Sequence, residues 1–227
     1  MLLILIPGRY NSYCFNAALF ISSLTFILSL IMWLIFDSGH NSFQFLCTID
    51  WLPAFNFYYT VGVDGISLFF LILTTFLIMV CVLISWGSIN YRLKEYLINF
   101  LLLEFLLIQV FSVLDLLLFY VFFESILMPM FLIIGIWGSR ERKIRAAYQF
   151  FLYTLVGSVL MLLGILIIYS HGGTTDLQML WNLEFSEKKQ IFLWVSFFLS
   201  FAVKIPMMPF HIWLPEAHAE APTAGSV

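Results

Sequence analysis

Charged residues are scarce in this sequence. Only 10% of its 227 residues are Asp, Glu, Lys or Arg, while 63% are apolar. A typical soluble chain carries about 25% charged and about 45–50% apolar residues. A water-soluble monomer of this length buries only about 70–75% of its surface on folding. That is too little to hide so much apolar area. A soluble globular domain, a disordered segment and a nucleic-acid binder are excluded on this ground. The formal charge of −3 matters less than where the charges sit.

Cysteine is also scarce. Cys14, Cys47 and Cys81 lie more than 30 residues apart, with no CxxC pair and no neighbouring histidine pair. This argues against a zinc site, an iron–sulfur cluster and a disulfide framework. The three read as small apolar side chains. There is no GxGxxG and no flavin or nicotinamide motif, so no cofactor and no metal is expected in this chain. The opening MLLILIPGRY has no basic region ahead of its apolar run and no small-residue cleavage site. It does not read as a signal or transit peptide. Little alanine and 26 phenylalanines point to an AT-rich organellar genome.

Long hydrophobic runs fill the rest. A span needs roughly 20 mostly apolar residues, and six segments qualify, at about 16–36, 66–89, 97–114, 116–138, 147–170 and 191–212. The expected architecture is an all-α polytopic membrane protein forming one domain over 1–227. The apolar stub at 1–6 is too short to cross. The loop at 37–65, with Trp51, Pro53 and several Tyr and Phe, has room for a hairpin or an interfacial piece. Residues 213–227 read as a polar tail. Trp33, Trp86, Trp137 and Trp194 sit near span ends, where interfacial anchors are expected. Gly157 and Gly164 read as close-packing positions.

Lys and Arg set the orientation. Arg9, Arg92, Lys94, Arg140, Arg142, Lys143 and Arg145 fall on one side of the six-span arrangement, and Lys188 and Lys189 on the other. The N-terminus, the 90–96 and 139–146 loops and the C-terminal tail are expected to face the cytoplasm or matrix. The Arg140–Arg145 cluster reads as a topology signal that also meets anionic headgroups.

Three charges stand where charge is expensive. Glu104 lies in LLLEFLLIQVF, Glu124 in LLLFYVFFESILMPM and Lys204 in FFLSFAVKIPMMPF. Left unpaired at mid-membrane, they would cost roughly 8–10 kcal/mol together. They are expected to face a protein interior or a wet cavity. Glu124 and Lys204 form either an inert ion pair that fixes packing or a proton relay. Buried pairs contribute little net stability, which favours the relay. Low dielectric disfavours the charged form of each group and a nearby opposite charge restores it, so changing their separation moves a proton. Glu104 is either a second relay acid or a protonated packing residue. Asp115, at the joint between two spans, is either an N-cap or a relay acid.

Proline supports the relay. Lys204 is followed by Pro206 and Pro209, which remove helical hydrogen bonds. The helix is expected to break near the lysine, as helices at membrane depth do where they line a wet cavity. A simple kink is the plainer reading. Pro129 acts more mildly after Glu124. His211, just past the break, is either an interfacial residue or a proton carrier, and His218 is a weaker candidate in the tail. Tyr120 and Ser125 have hydroxyls placed to hydrate Glu124.

Three stretches carry a family resemblance: GVDGISLFF (62–70), DLLLFYVFFESILMPMFLIIGIWGSRERKIRAAYQFFLYTLVGS (115–158) and, most specific, FAVKIPMMPFHIWLPEAHAEAPTAGSV (201–227). The chain resembles the subunit 4 family of NADH dehydrogenase, the membrane-arm subunits of respiratory complex I related to Mrp-type antiporters. The mitochondrial members of plants and protists are the most similar in pattern. The resemblance implies about fourteen spans in two inverted five-helix repeats, each with a broken helix and a proton path. It assigns Glu124 as the fifth-span glutamate, Lys204 as the broken-helix lysine, His211 as the histidine after the break and Glu104 as a fourth-span glutamate. The stub then corresponds to the first span.

The family continues past HAEAPTAGSV into an eighth span with a second lysine and a second repeat. The chain is therefore expected to be the first half of an antiporter-like subunit, completed by another polypeptide or read from a longer one. The resemblance implies a proton-translocating subunit in the mitochondrial inner membrane, with its tail on the matrix side. It implies other membrane-arm subunits and cardiolipin as partners, and redox chemistry elsewhere. The competing readings are an Mrp-type cation/proton antiporter subunit and a structural half-subunit without transport.

Overall fold

The computed structural model describes residues 11–52, 56–89 and 91–227. The stub at 1–6, Arg9 and Pro53 lie outside the described residues. Helix α1 (Asn11–Ile35) leads into an antiparallel hairpin, β1 (Gln44–Leu52) and β2 (Phe57–Val63). The hairpin occupies the loop for which the sequence left room. Helix α2 (Gly65–Ile84) starts at a reciprocal cap. Asp64 accepts from Ser67 N and Ser67 Oγ accepts from Asp64 N, satisfying donors that a helix start leaves open. Then follow α3 (Leu93–Ser112), α4 (Leu116–Ser125), α5 (Leu127–Trp137) and α6 (Lys143–Gly172). The short α7 (Leu177–Leu180) leads to α8 (Glu187–Lys204), a 3-10 turn (Phe210–Ile212), α9 (Trp213–Glu220) and α10 (Thr223–Ser226).

Among the described residues, five segments are long and apolar enough to cross a membrane: Asn11–Ile35, Gly65–Ile84, Leu93–Ser112, Leu116–Trp137 and Lys143–Gly172. At 1.5 Å per residue, 20 residues cover about 30 Å, the depth of a hydrocarbon core. The sixth expected span differs. Its helix α8 begins at Glu187 and stops at Lys204 rather than reaching 212, and its charged first turn keeps it out of the five.

Two ends of the bundle are knitted differently. At one end, Cys14, Phe15, Cys81, Val82, Tyr96, Leu97, Trp137 and Ala224 form one buried cluster. Trp137 Nε1 donates to Tyr91 O at 2.8 Å. At the other end, Leu114 N bonds Thr60 O at 2.9 Å and Leu177 N bonds Leu114 O at 2.9 Å. The α3–α4 joint is thereby held between the hairpin and the loop after α6.

Residues 213–227 do not form a solvated polar tail. Trp213, Ala217, Glu220 and Ala224 are buried, and α9 packs on α6. Ser139 N donates to Glu220 O at 3.0 Å, so this segment shares an end of the bundle with the Arg140–Arg145 loop. Gly138 permits the approach, because a Cβ there would stand 2.9 Å from Glu220 O. Small residues likewise bring α6 and α8 together. A Cβ on Gly157 would meet Val203 Cβ at 2.9 Å, and one on Gly164 would meet Ser196 Oγ at 2.7 Å.

Candidate functional site

The break after Lys204 follows from the two prolines. Pro206 has no N–H to offer Ala202 O. Ala202 O is bonded instead by Met207 N at 2.9 Å, while Ile205 N still bonds Phe201 O at 2.7 Å. The Val203 carbonyl, which a continuous helix would pair with Met207, accepts the Trp213 indole N–H at 2.8 Å. A buried carbonyl left bare would cost about 1–3 kcal/mol, so Trp213 stabilises the broken end. Lys204 is thus the last residue of α8, held where backbone geometry changes.

The facing segment is also interrupted. Pro129 cannot continue the ladder from α4, and the chain passes from α4 to α5 at Ile126. Lys204 Nζ donates to the Phe123 carbonyl at this joint, 2.8 Å away. It also lies 3.5 Å from the centroid of the Phe123 ring, a favourable place for a cation.

Glu124 stands beside this contact. Its Oε1 is buried without a hydrogen-bond partner. Among the described residues the one ion pair is Arg92–Glu95, at 3.4 Å. Glu124 and Lys204 interact through their charges but are not in ion-pair contact. Ser158, buried on α6, lies near both Glu124 and Tyr120, and donates its own proton to Leu155 O at 2.9 Å. Ser125, expected to hydrate Glu124, donates instead to Val121 O of its own helix at 2.7 Å. Back-bonding of this kind satisfies a hydroxyl within an apolar helix and turns it away from the carboxylate.

Glu104 is 3% exposed and accepts from Thr25 Oγ1 of α1. Asp115 is an N-cap. Its Oδ1 accepts from Leu117 N at 2.9 Å and Leu118 N at 3.0 Å, and Thr175 donates to its Oδ2. With both oxygens occupied, Asp115 secures the start of α4. His211 lies in the 3-10 turn with its Nδ1 buried and unpartnered. His218 is exposed on α9 and is not brought to the Glu124–Lys204 pair.

Sequence reasoning missed Ser158, Ser200 and Trp213. Ser200 Oγ is buried and unpartnered one helical turn before Lys204, and residues four apart share a helix face. Its signal was available: a serine at that spacing from a lysine within an apolar run. Among the described residues, no three His, Cys, Asp or Glu side chains gather where they would share a metal ion.

The family model for the NADH:quinone oxidoreductase/Mrp antiporter transmembrane region matches residues 113–227. That stretch holds Glu124, Ser158, Lys204 and His211. The NADH-ubiquinone oxidoreductase chain 4 of Chondrus crispus is 70% identical over 226 residues, covering 100% of this chain and 46% of that protein. Its namesake in Arabidopsis thaliana is 60% identical over 227 residues, with 100% and 46% covered. The chain spans about half the length of the curated relatives it matches. Among solved structures, the respiratory complex I of Thermus thermophilus with bound NADH has a chain that matches with a TM-score of 0.83 and 31% identity. The match covers 97% of this chain and 47% of that one. A chain of the Mrp complex of Dietzia sp. DQ12-45-1b matches with a TM-score of 0.83 at 17% identity, covering 96% and 24%, a likeness of fold. A family match across the segment that builds the broken helix and its facing glutamate places this chain in the NADH:quinone oxidoreductase/Mrp antiporter transmembrane family.

Proposed function

We propose that this chain forms part of a proton-translocating membrane subunit of respiratory complex I, coupled to NADH:ubiquinone oxidoreduction, and that Glu124 and Lys204 make one half-channel of it. One observation carries the reading. Lys204 ends a proline-broken helix with its ammonium on a backbone carbonyl, beside a Glu124 oxygen that has no partner. The pair is therefore assembled but not closed. Two unit charges 4 Å apart attract by about 4 kcal/mol at an effective dielectric of 20. Closing the gap holds the proton on Lys204, and opening it lets the proton leave. Quinone chemistry at a distance would drive that movement electrostatically. Ser158, Tyr120, Ser200 and His211 supply polar atoms along the route, with Glu104 as a further acid and His218 at its margin.

In this reading the chain carries no cofactor or metal, and redox chemistry lies elsewhere in the assembly. The subunit sits in the mitochondrial inner membrane. The end bearing Arg92, Arg140, Arg142, Lys143, Arg145 and the C-terminal segment faces the matrix. Its partners are other membrane-arm subunits and anionic lipid such as cardiolipin at the arginine cluster. Exposed Ile205, Met207 and Met208 beside the break are surface for such a neighbour.

Glu124→Gln in the assembled complex tests the reading. NADH oxidation with a steep fall in protons moved per electron pair is expected, and normal stoichiometry would overturn the role. The fold likeness to the Mrp complex favours a second reading, a cation/proton antiporter subunit, which sodium-dependent proton transport without NADH would support. Intact coupling in Lys204→Met would instead leave a structural half-subunit.

A further inference from the structure

A cavity of about 310 Å³ lies beneath the hairpin, between α1, α2 and α3. Its wall is mostly apolar, and polar side chains from all four elements reach it: Thr25 and Ser29, Thr75, Gln109 and Ser112, and Tyr59. Their order along the helices gives its depth. Thr25 and Thr75 stand near the middle of α1 and α2, whereas Ser112 ends α3 beside the hairpin. Glu104 and Ser112 are separated by about 12 Å of helix rise, less than half the roughly 30 Å hydrocarbon core.

Two features point to water as the occupant. Tyr59 donates to Gln109 Oε1, and Gln109, which lines the cavity, carries two amide N–H donors that water can satisfy. Ser29 and Thr75 bond each other at 3.0 Å as well as carbonyls of their own helices, and Ser112 donates to Ile108 O; a hydroxyl has two lone pairs, so each oxygen keeps one to accept from water. A water needs two to four polar partners, and the cavity supplies them from its hairpin mouth to Thr25.

We propose that this cavity is a water-filled route by which the hairpin-side aqueous phase exchanges protons with Glu104. Thr25 is the last link. Its oxygen bonds both Glu104 and Ser22 O, the latter at 2.9 Å, and one hydroxyl proton serves one bond at a time. With Glu104 ionised, Thr25 donates to the carboxylate. A hydronium in the cavity gives its proton to the Thr25 oxygen as Thr25 hands its own to Glu104. Water and a carboxylic acid result, and Thr25 then turns to Ser22 O. The route rests on the membrane placement above, with the hairpin at an aqueous face, and not on the Glu124–Lys204 pair.

The test uses the assembled complex in sealed vesicles, with Cys14, Cys47 and Cys81 replaced by serine. Ser29→Cys and Thr75→Cys are exposed to a small charged thiosulfonate from either face. Only a thiolate reacts, and a thiol in lipid stays protonated. Both variants are expected to react from the hairpin face at least about tenfold faster than Ile27→Cys, a site exposed on α1 outside the cavity. Reaction with a lipid-soluble maleimide alone, or with neither reagent, overturns the proposal. If the variants fail to assemble, hydroxyl-radical footprinting of the unsubstituted complex decides. Met32, which lines the cavity, should oxidise well above the fully buried Met161, and equal labelling overturns the route. Neither readout depends on proton pumping.

Discussion

Lys204 Nζ donates to the Phe123 carbonyl at 2.8 Å and makes no ion-pair contact with adjacent Glu124. A backbone carbonyl holds the ammonium without neutralising it. In the proposed function the lysine exchanges this bond for the carboxylate, a two-position arrangement that a closed salt bridge would not offer.

Lys204→Arg tests the need for proton release. Arginine keeps the charge and the hydrogen bond but does not deprotonate. Assembly and NADH oxidation should persist while proton translocation falls by about 100-fold, the scale lost with a proton-transfer group. Quenching of a pH-sensitive dye in vesicles reads this, and unchanged quenching would assign Lys204 a packing role.

Gly157→Ala should displace α8, because the added Cβ meets Val203 Cβ at 2.9 Å. Overpacking of this kind costs about 1–3 kcal/mol and should lower both thermal stability and pumping. Val203→Ala removes two of the three crowding atoms and should restore part of the loss. A double-mutant cycle measures that coupling.

Thr25→Val should destabilise the complex by about 1–3 kcal/mol, since it leaves a buried carboxyl without its hydrogen bond. Thr25→Ser should be nearly neutral. Thermal unfolding in detergent checks both, and equal midpoints for Val and Ser would show that the bond contributes nothing.

Asp115→Ala should cost about 1–2 kcal/mol through loss of the cap, with Asp115→Asn largely conserving it. Any surviving assembled complex should pump with normal stoichiometry. Defective stoichiometry at normal assembly would show that Asp115 acts in transport.

Tyr59 carries a pH signature on the hairpin. Burial raises its phenol above the ordinary value of 10.0. Its stabilising contribution is fully present below the unfolded tyrosine value of about 10 and is lost as pH rises through the folded value. The unsubstituted complex should therefore lose thermal stability above about pH 10 more steeply than Tyr59→Phe. Parallel curves would show that the phenol is freely solvated.

Much of this protein was decided by sequence alone, because hydrocarbon imposes costs that any residue list reveals. Apolar runs of the required length mark the spans, and Glu104, Glu124 and Lys204 stand out because charge there is expensive. Pro206 and Pro209 specify a break because neither carries an N–H. Tertiary structure decided the rest, because the decisive contacts join residues far apart in the chain. Lys204 meets Phe123 across 81 positions, and Gly157 lets α6 and α8 approach closely enough to set that meeting. The same packing brings Ser158 near Glu124 and leaves His218 outside. It also draws residues 213–227 back into the bundle, where the indole of Trp213 satisfies a carbonyl released by the break. Hydropathy registers what a side chain costs in lipid; which partner offsets that cost depends on how the helices pack.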